Sequence, residues 1–250
     1  MMGNAMFVVR LVVNLFILAL EIGAVAGVAW AGLRFPLHFA AATAVLALLM
    51  GVVLERARLQ NELPFYFGQS RTALTLLGGG MAIVEGGLKA LLAGLVALLT
   101  FSGTDQARLL WVAVIFGVCV FAGSSLLRRL ALSFGAIPSR WGYFRLAAPL
   151  GLLFSAAISV LPAPTMTDVG RTLIFDLPGR PTLSQASETL FVLKQKFDDI
   201  VVTLLSQFIA PGAAKVVGVL VSVNMLTGFV IGVFAVAIAE MVRRLEESSP

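Results

Sequence analysis

Residues 11–33 form a run of 23 in which only Asn14 and Glu21 break an otherwise apolar series. That length matches the roughly 20 apolar residues an α-helix needs to cross a bilayer core. Comparable runs recur at 35–54, 73–99, 109–127, 144–161 and 216–242. The chain therefore reads as an all-α integral membrane protein with six transmembrane helices. Composition agrees: 59% of the 250 residues are hydrophobic and 12% charged, against about 25% charged in soluble domains. The mean hydropathy is +0.99.

The first run has a rival reading as a secretory signal, because Ala29-Trp30-Ala31 has small-x-small character. Its apolar stretch exceeds the roughly 7–15 residues of a signal's hydrophobic region, so it is assigned as the first membrane helix. Arg34-Phe35-Pro36 is a tight turn, with the proline pre-set for a helix start, so helices one and two are expected to pair as a hairpin. A polar connector at 55–71 carries Glu55, Arg56, Arg58, Glu62 and Arg71. The fifth run, 144–161, is short and contains Pro149, which suggests a kinked or partly inserted helix.

Residues 162–215 are the one long non-membrane segment. Its prolines make the first half irregular, with 172–175 as a short strand. Over 184–209 the apolar residues Leu190, Leu193, Phe197, Ile200, Leu204 and Phe208 step by three or four, the spacing of an amphipathic helix. That stripe is a candidate docking face for an extracytoplasmic partner; its other reading is a helix lying on the outer leaflet. Residues 216–250 then supply helix six and a short tail.

Arginines set the orientation. With the N-terminus in the cytoplasm, Arg10, Arg56, Arg58, Arg71, Arg128, Arg129, Arg140, Arg145, Arg243 and Arg244 fall inside. Only Arg34 and Arg108 fall in the short outside turns. This asymmetry places both termini in the cytoplasm, in a bacterial cytoplasmic (inner) membrane. The same threading puts Trp30 and Trp111 at the outer interface, with Trp141 and Tyr143 at the inner one.

The chemistry concentrates in helix three. Glu85 and Lys89 are spaced i,i+4 with the acid first, the favourable order for a helical pair, and both lie near the centre of 73–99. Glu21 lies at a matching depth in helix one, so the three are expected to form one intramembrane cluster. Central charges cost about 2.5–3.5 kcal/mol each, whereas the leucine, isoleucine and valine residues of helix three return about 5 kcal/mol in all. Helix three is thus marginal alone and needs partners. Gly78, Gly79, Gly80, Gly86 and Gly87 are its candidate packing glycines, and Gly78, Ala82, Gly86 and Ala93 form a small-residue stripe.

Several classes are excluded. With one cysteine, Cys119, and one histidine, His38, no metal-thiolate cluster, multi-histidine box or zinc-protease helix can be built. Nucleotide-loop and serine-hydrolase signatures are missing. No enzyme activity, cofactor, metal or nucleic-acid partner is expected. Two functions stay open. One is a small transporter, channel or permease subunit using the charged cluster. The other is a non-transporting structural or assembly subunit, with the cluster as an interhelical clasp. The lipid bilayer, further copies of the chain and other membrane subunits are the expected partners.

Overall fold

The computed structural model describes residues 2–67, 71–102, 105–161, 183–210, 212–214, 217–218 and 222–248. In chain order the helices are α1 (Met2–Arg34), α2 (Pro36–Phe67), α3 (Arg71–Thr100), α4 (Gln106–Phe134), α5 (Pro138–Trp141), α6 (Tyr143–Ser159), α7 (Leu183–Phe208) and α8 (Thr227–Ser248). A 3₁₀ turn, Val223–Leu226, leads into α8. No strand occurs among the described residues; the short strand expected at 172–175 lies outside them.

Five segments are long and apolar enough to cross a membrane: Leu11–Arg34, Pro36–Glu62, Gly78–Thr100, Gln106–Phe134 and Val223–Ser248. The sixth expected span, α6, has 17 residues, about 26 Å at helical rise. The bundle has two distinct ends. The turn end carries Phe35 and the α3–α4 connection, and the arginine end carries Arg56, Arg58, Arg128, Arg129, Arg243 and Arg244.

Burial separates the spans by composition. In the α8 span 67% of the window is buried, against 17% for α1. From Gly228 to Ala239 the α8 sequence is glycine, alanine, valine, isoleucine and two phenylalanines, apolar on every side as a central helix must be. α3 instead carries leucines on its outer face, with Leu88 and Leu91 exposed. At the turn end Phe39, Phe101, Phe116 and Phe234 pack ring to ring, with centroids 5.1–6.5 Å apart. Trp30 and Trp111 are exposed near this end.

The helices pair differently from the expected hairpin. α1 packs chiefly on α4, while α2 packs along α3, so α1 and α2 splay apart from Phe35. α2 also continues beyond Leu54 to Phe67. Glu55, Arg58 and Glu62 stand three and four residues apart, so they pair along a helix surface rather than forming a connector. α8 begins later than position 216. Ser222 has extended backbone, and its Oγ accepts from Asn224 N at 3.1 Å, a cap that restarts the helix.

α6 and α8 approach through glycines. A Cβ on Gly228 would lie 2.5 Å from Gly151 N, and one on Gly232 would lie 2.5 Å from the Tyr143 carbonyl oxygen. Tyr143 therefore sits against Gly232, inside the bundle and 0% exposed, which corrects its assignment to the interfacial belt. The chain reaches that depth because α4 is closed by Gly135 in the left-handed region (φ 63°) and α5 leads directly to Gly142 (φ 87°).

α7 docks at the turn end. The Asp198 carboxylate accepts from Ser222 Oγ at 2.9 Å and from Val223 N at 3.0 Å. Leu193, Phe197, Ile200, Leu204 and Phe208 are exposed along α7, so this part of the amphipathic stripe is left largely open by the described residues. The side chain of Leu190 lies outside the described set.

Candidate functional site

The structure divides the expected three-residue cluster into two. Lys89 does pair with Glu85, Nζ to Oε2 at 3.8 Å, but its direct contact is Glu55 on α2. Glu21 is elsewhere. Ser124 Oγ donates to Glu21 Oε1 at 2.7 Å, and Arg128 Nη1 stands 3.7 Å from Glu21 Oε2. Arg128 also contacts Glu246, so α1, α4 and α8 share one charge cluster.

The division follows from helix pairing: α1 packs on α4 and α3 on α2, so Glu21 and Lys89 belong to different pairs, and within each pair the charges meet through side-chain direction. Helical side chains lean toward their own N-terminus. α2 and α3 run antiparallel, so Glu55 leans deeper into the bundle while Lys89 leans toward the arginine end, and they meet. α1 and α4 are likewise antiparallel, and Glu21 and Arg128 converge in the same way. Equal Cα depth, the basis for grouping Glu21 with Lys89, does not say which helices are neighbours.

The α2–α3 site is a graded network. Glu55 is fully buried, Lys89 is 28% exposed, Glu85 36% and Arg58 51%. Arg58 Nη1 lies 3.5 Å from Glu55 and 3.8 Å from Glu85, and its Nε donates to Glu62 at 2.7 Å. The Lys89 ammonium stands 4.8 Å from the centroid of the Phe144 ring, a cation–π distance. Beside Phe144, the Tyr143 hydroxyl is buried and has no hydrogen-bond partner among the described residues. It lies 3.4 Å from where a Gly51 Cβ would be. Gly51 is one turn from Glu55 on the same face of α2.

One face of α3 shows how this site is reached. Glu85, Leu92, Val96 and Leu99 share that face by helical spacing. Val96 and Leu99 are buried against the bundle, 3% and 9% exposed, whereas Glu85 is 36% exposed. Tyr143 and Phe144, at the start of α6, lie over Gly51 and Lys89.

Of the five expected packing glycines, Gly86 makes a close approach: its Cβ would lie 2.9 Å from Val52 Cγ2 and 3.0 Å from Val52 N. Gly78 is buried. Gly79, Gly80 and Gly87 would meet nothing within 4 Å. Other close approaches are at Gly32 against Phe101, Gly94 against Ala44, Gly123 against Ala235 and Leu150, Gly218 against Val202, and at Gly151, Gly228 and Gly232. The small-residue stripe is buried, with Ala82 and Ala93 at 1% and 0%.

The second cluster borders a groove of about 460 Å³ at the arginine end, lined by Arg128, Leu132, Ile137, Arg243, Glu246 and Glu247 among others. Glu240 pairs there with Arg243 at 2.7 Å and with Arg244 at 3.3 Å. Among the described residues no group of three or more His, Cys, Asp or Glu side chains could hold a metal ion.

Spans and charge placement define the class: an all-helical, polytopic integral membrane protein. No family model matches the chain, and neither a curated protein nor a solved structure matches it. The functional reading rests on the residues themselves.

Proposed function

We propose that the protein is a translocation component of a membrane, a small transporter, channel or permease subunit. Its polar path enters at the arginine end and runs along α2 and α3 to Glu55 and Lys89. The observation that carries this reading is the α3 face that is buried at Val96 and Leu99 yet open at Glu85. Ionisable groups at membrane depth are costly, and they face a water-filled cavity or one another. Here they do both. In this reading the arginine end is cytoplasmic, the membrane is a bacterial inner membrane, and the chain works with further copies or other subunits rather than as an enzyme.

Flux in proteoliposomes is the test. Glu85→Gln with Lys89→Met is expected to reduce flux of protons or small ions by the purified protein while leaving it folded and inserted. Undiminished flux in the double variant, or none in the parent protein for any tested ion or small polar solute, ends the proposal.

A second reading is favoured by Glu21, Ser124, Arg128 and Glu246. Each of these has a partner on another helix, and together they tie α1, α4 and α8. If flux is absent while variants of this cluster lose assembly, the protein is a structural or assembly subunit and its charges are clasps.

A further inference from the structure

We infer that Glu55 and Tyr143 form a binding site for a single positive charge, a proton or a monovalent metal cation, which Lys89 occupies as a tethered substitute. This deepens the proposed translocation reading and uses the same site. Three observations carry it.

Lys89 has two acids to choose from. Its ammonium is in contact with Glu55 and 3.8 Å from Glu85. A swing of the flexible stem toward Glu85 leaves the Glu55 carboxylate without its nearest cation. Arg58 offsets it only in part, since it is 51% exposed, its Nη1 stands 3.5 Å from Glu55 and its Nε bonds Glu62 at 2.7 Å.

Tyr143 supplies an oxygen with nothing to bond. Its ring and hydroxyl are 0% exposed and the hydroxyl has no partner among the described residues. Buried hydroxyls are normally hydrogen-bonded. This one sits over Gly51, one turn from Glu55 on the same α2 face, where a cation held by the carboxylate would gain a second oxygen. A proton on Glu55 would gain an acceptor at the same place.

Access is the third observation. Glu85 and Lys89 line the open part of the α3 face, so an ion arriving from the arginine end meets Glu85 first and displaces Lys89 toward it. The charged and titratable groups facing Glu55 are then Lys89, Arg58 and Tyr143, with Glu85 behind Lys89. Removing the tethered ammonium therefore leaves a net negative site.

The full-length protein in nanodiscs is melted in choline chloride, then with choline replaced by sodium or potassium at fixed pH, and finally with pH lowered in choline alone. Lys89→Met is expected to gain a rise in Tm that the parent protein lacks. A rise with sodium or potassium identifies a metal cation, and a rise with acid alone identifies a proton. In either case Glu55→Gln added to Lys89→Met should abolish the rise. Tyr143→Phe added to Lys89→Met should weaken its midpoint concentration by about tenfold, as loss of one bond to a charged group does. Lys89→Gln serves the same purpose should Lys89→Met fail to give a monodisperse protein. No rise in either Lys89 variant, or a rise that survives Glu55→Gln, overturns the site. Cation binding without flux retains the site and removes the translocation reading; flux that is indifferent to Glu55→Gln does the reverse.

Discussion

Lys89→Met, Glu55→Gln and their combination make a double-mutant cycle whose size follows from the contacts. Removing one partner of a buried pair costs about 3–5 kcal/mol when the other charge is left alone. Neither charge is left alone here. Without Lys89, Glu55 keeps Arg58 at 3.5 Å, but that arginine is 51% exposed and partly spent on Glu62. A cost of about 2–3 kcal/mol is expected, below the isolated-charge value. Without the Glu55 charge, Lys89 keeps Glu85 at 3.8 Å and the Phe144 ring at 4.8 Å, and the cost falls to about 1–2 kcal/mol. The double variant buries no ion and should cost about 2 kcal/mol in all. Coupling is then about 2 kcal/mol, roughly thirtyfold in the unfolding equilibrium constant. Unfolding by SDS in mixed micelles, in choline buffer at alkaline pH and followed by circular dichroism, gives each value. Single-variant costs that add to within about 0.5 kcal/mol would refute a direct Glu55–Lys89 interaction.

Other expectations follow from particular contacts. Glu21→Gln keeps the Ser124 hydrogen bond and leaves Arg128 with Glu246, so it should cost only about 1 kcal/mol in the same assay; a loss of folded protein would mean that Glu21 has no such substitutes. Gly228→Leu should separate α6 from α8 and abolish a monodisperse gel-filtration peak, because a Cβ there lies 2.5 Å from Gly151 N. Gly79→Ala, with nothing within 4 Å, should gain up to about 1 kcal/mol from helix propensity. Cys119, 1% exposed, should resist a water-soluble maleimide until the protein unfolds, and fast labelling of the folded protein would place it on a wet surface.

Much of the fold is legible from apolar runs alone, because a bilayer leaves a chain few alternatives to helices of that length. The Glu85–Lys89 pair is legible too, since i,i+4 spacing needs no tertiary knowledge. Glu55 is harder. It follows the last apolar residue of its run, and Pro64 suggests that the helix has stopped. Its signal was the 55, 58, 62 spacing, together with antiparallel pairing about the α2–α3 turn, which sets Glu55 opposite the stretch before Glu85. Arg128 is hidden for another reason: the arginine that helps set orientation is also the partner of Glu21. Glycine composition reveals that helices approach closely but not on which side, so Gly86 was found together with three glycines that touch nothing. The late start of α8 depends on one extended residue, Ser222, to which hydropathy is blind.

The most buried span is also the last of the described helices to leave the ribosome. About 90 residues separate the end of α6 from the end of α8, roughly 5–20 s of synthesis at cellular rates. Through that interval the aromatic side chains of Phe39, Phe101 and Phe116 lack Phe234, Arg128 lacks Glu246, and the glycine face of α6 has nothing to close on. The nascent bundle lacks its most buried span. Until Thr227–Ser248 inserts, α4 and α6 lack the helix they both pack against.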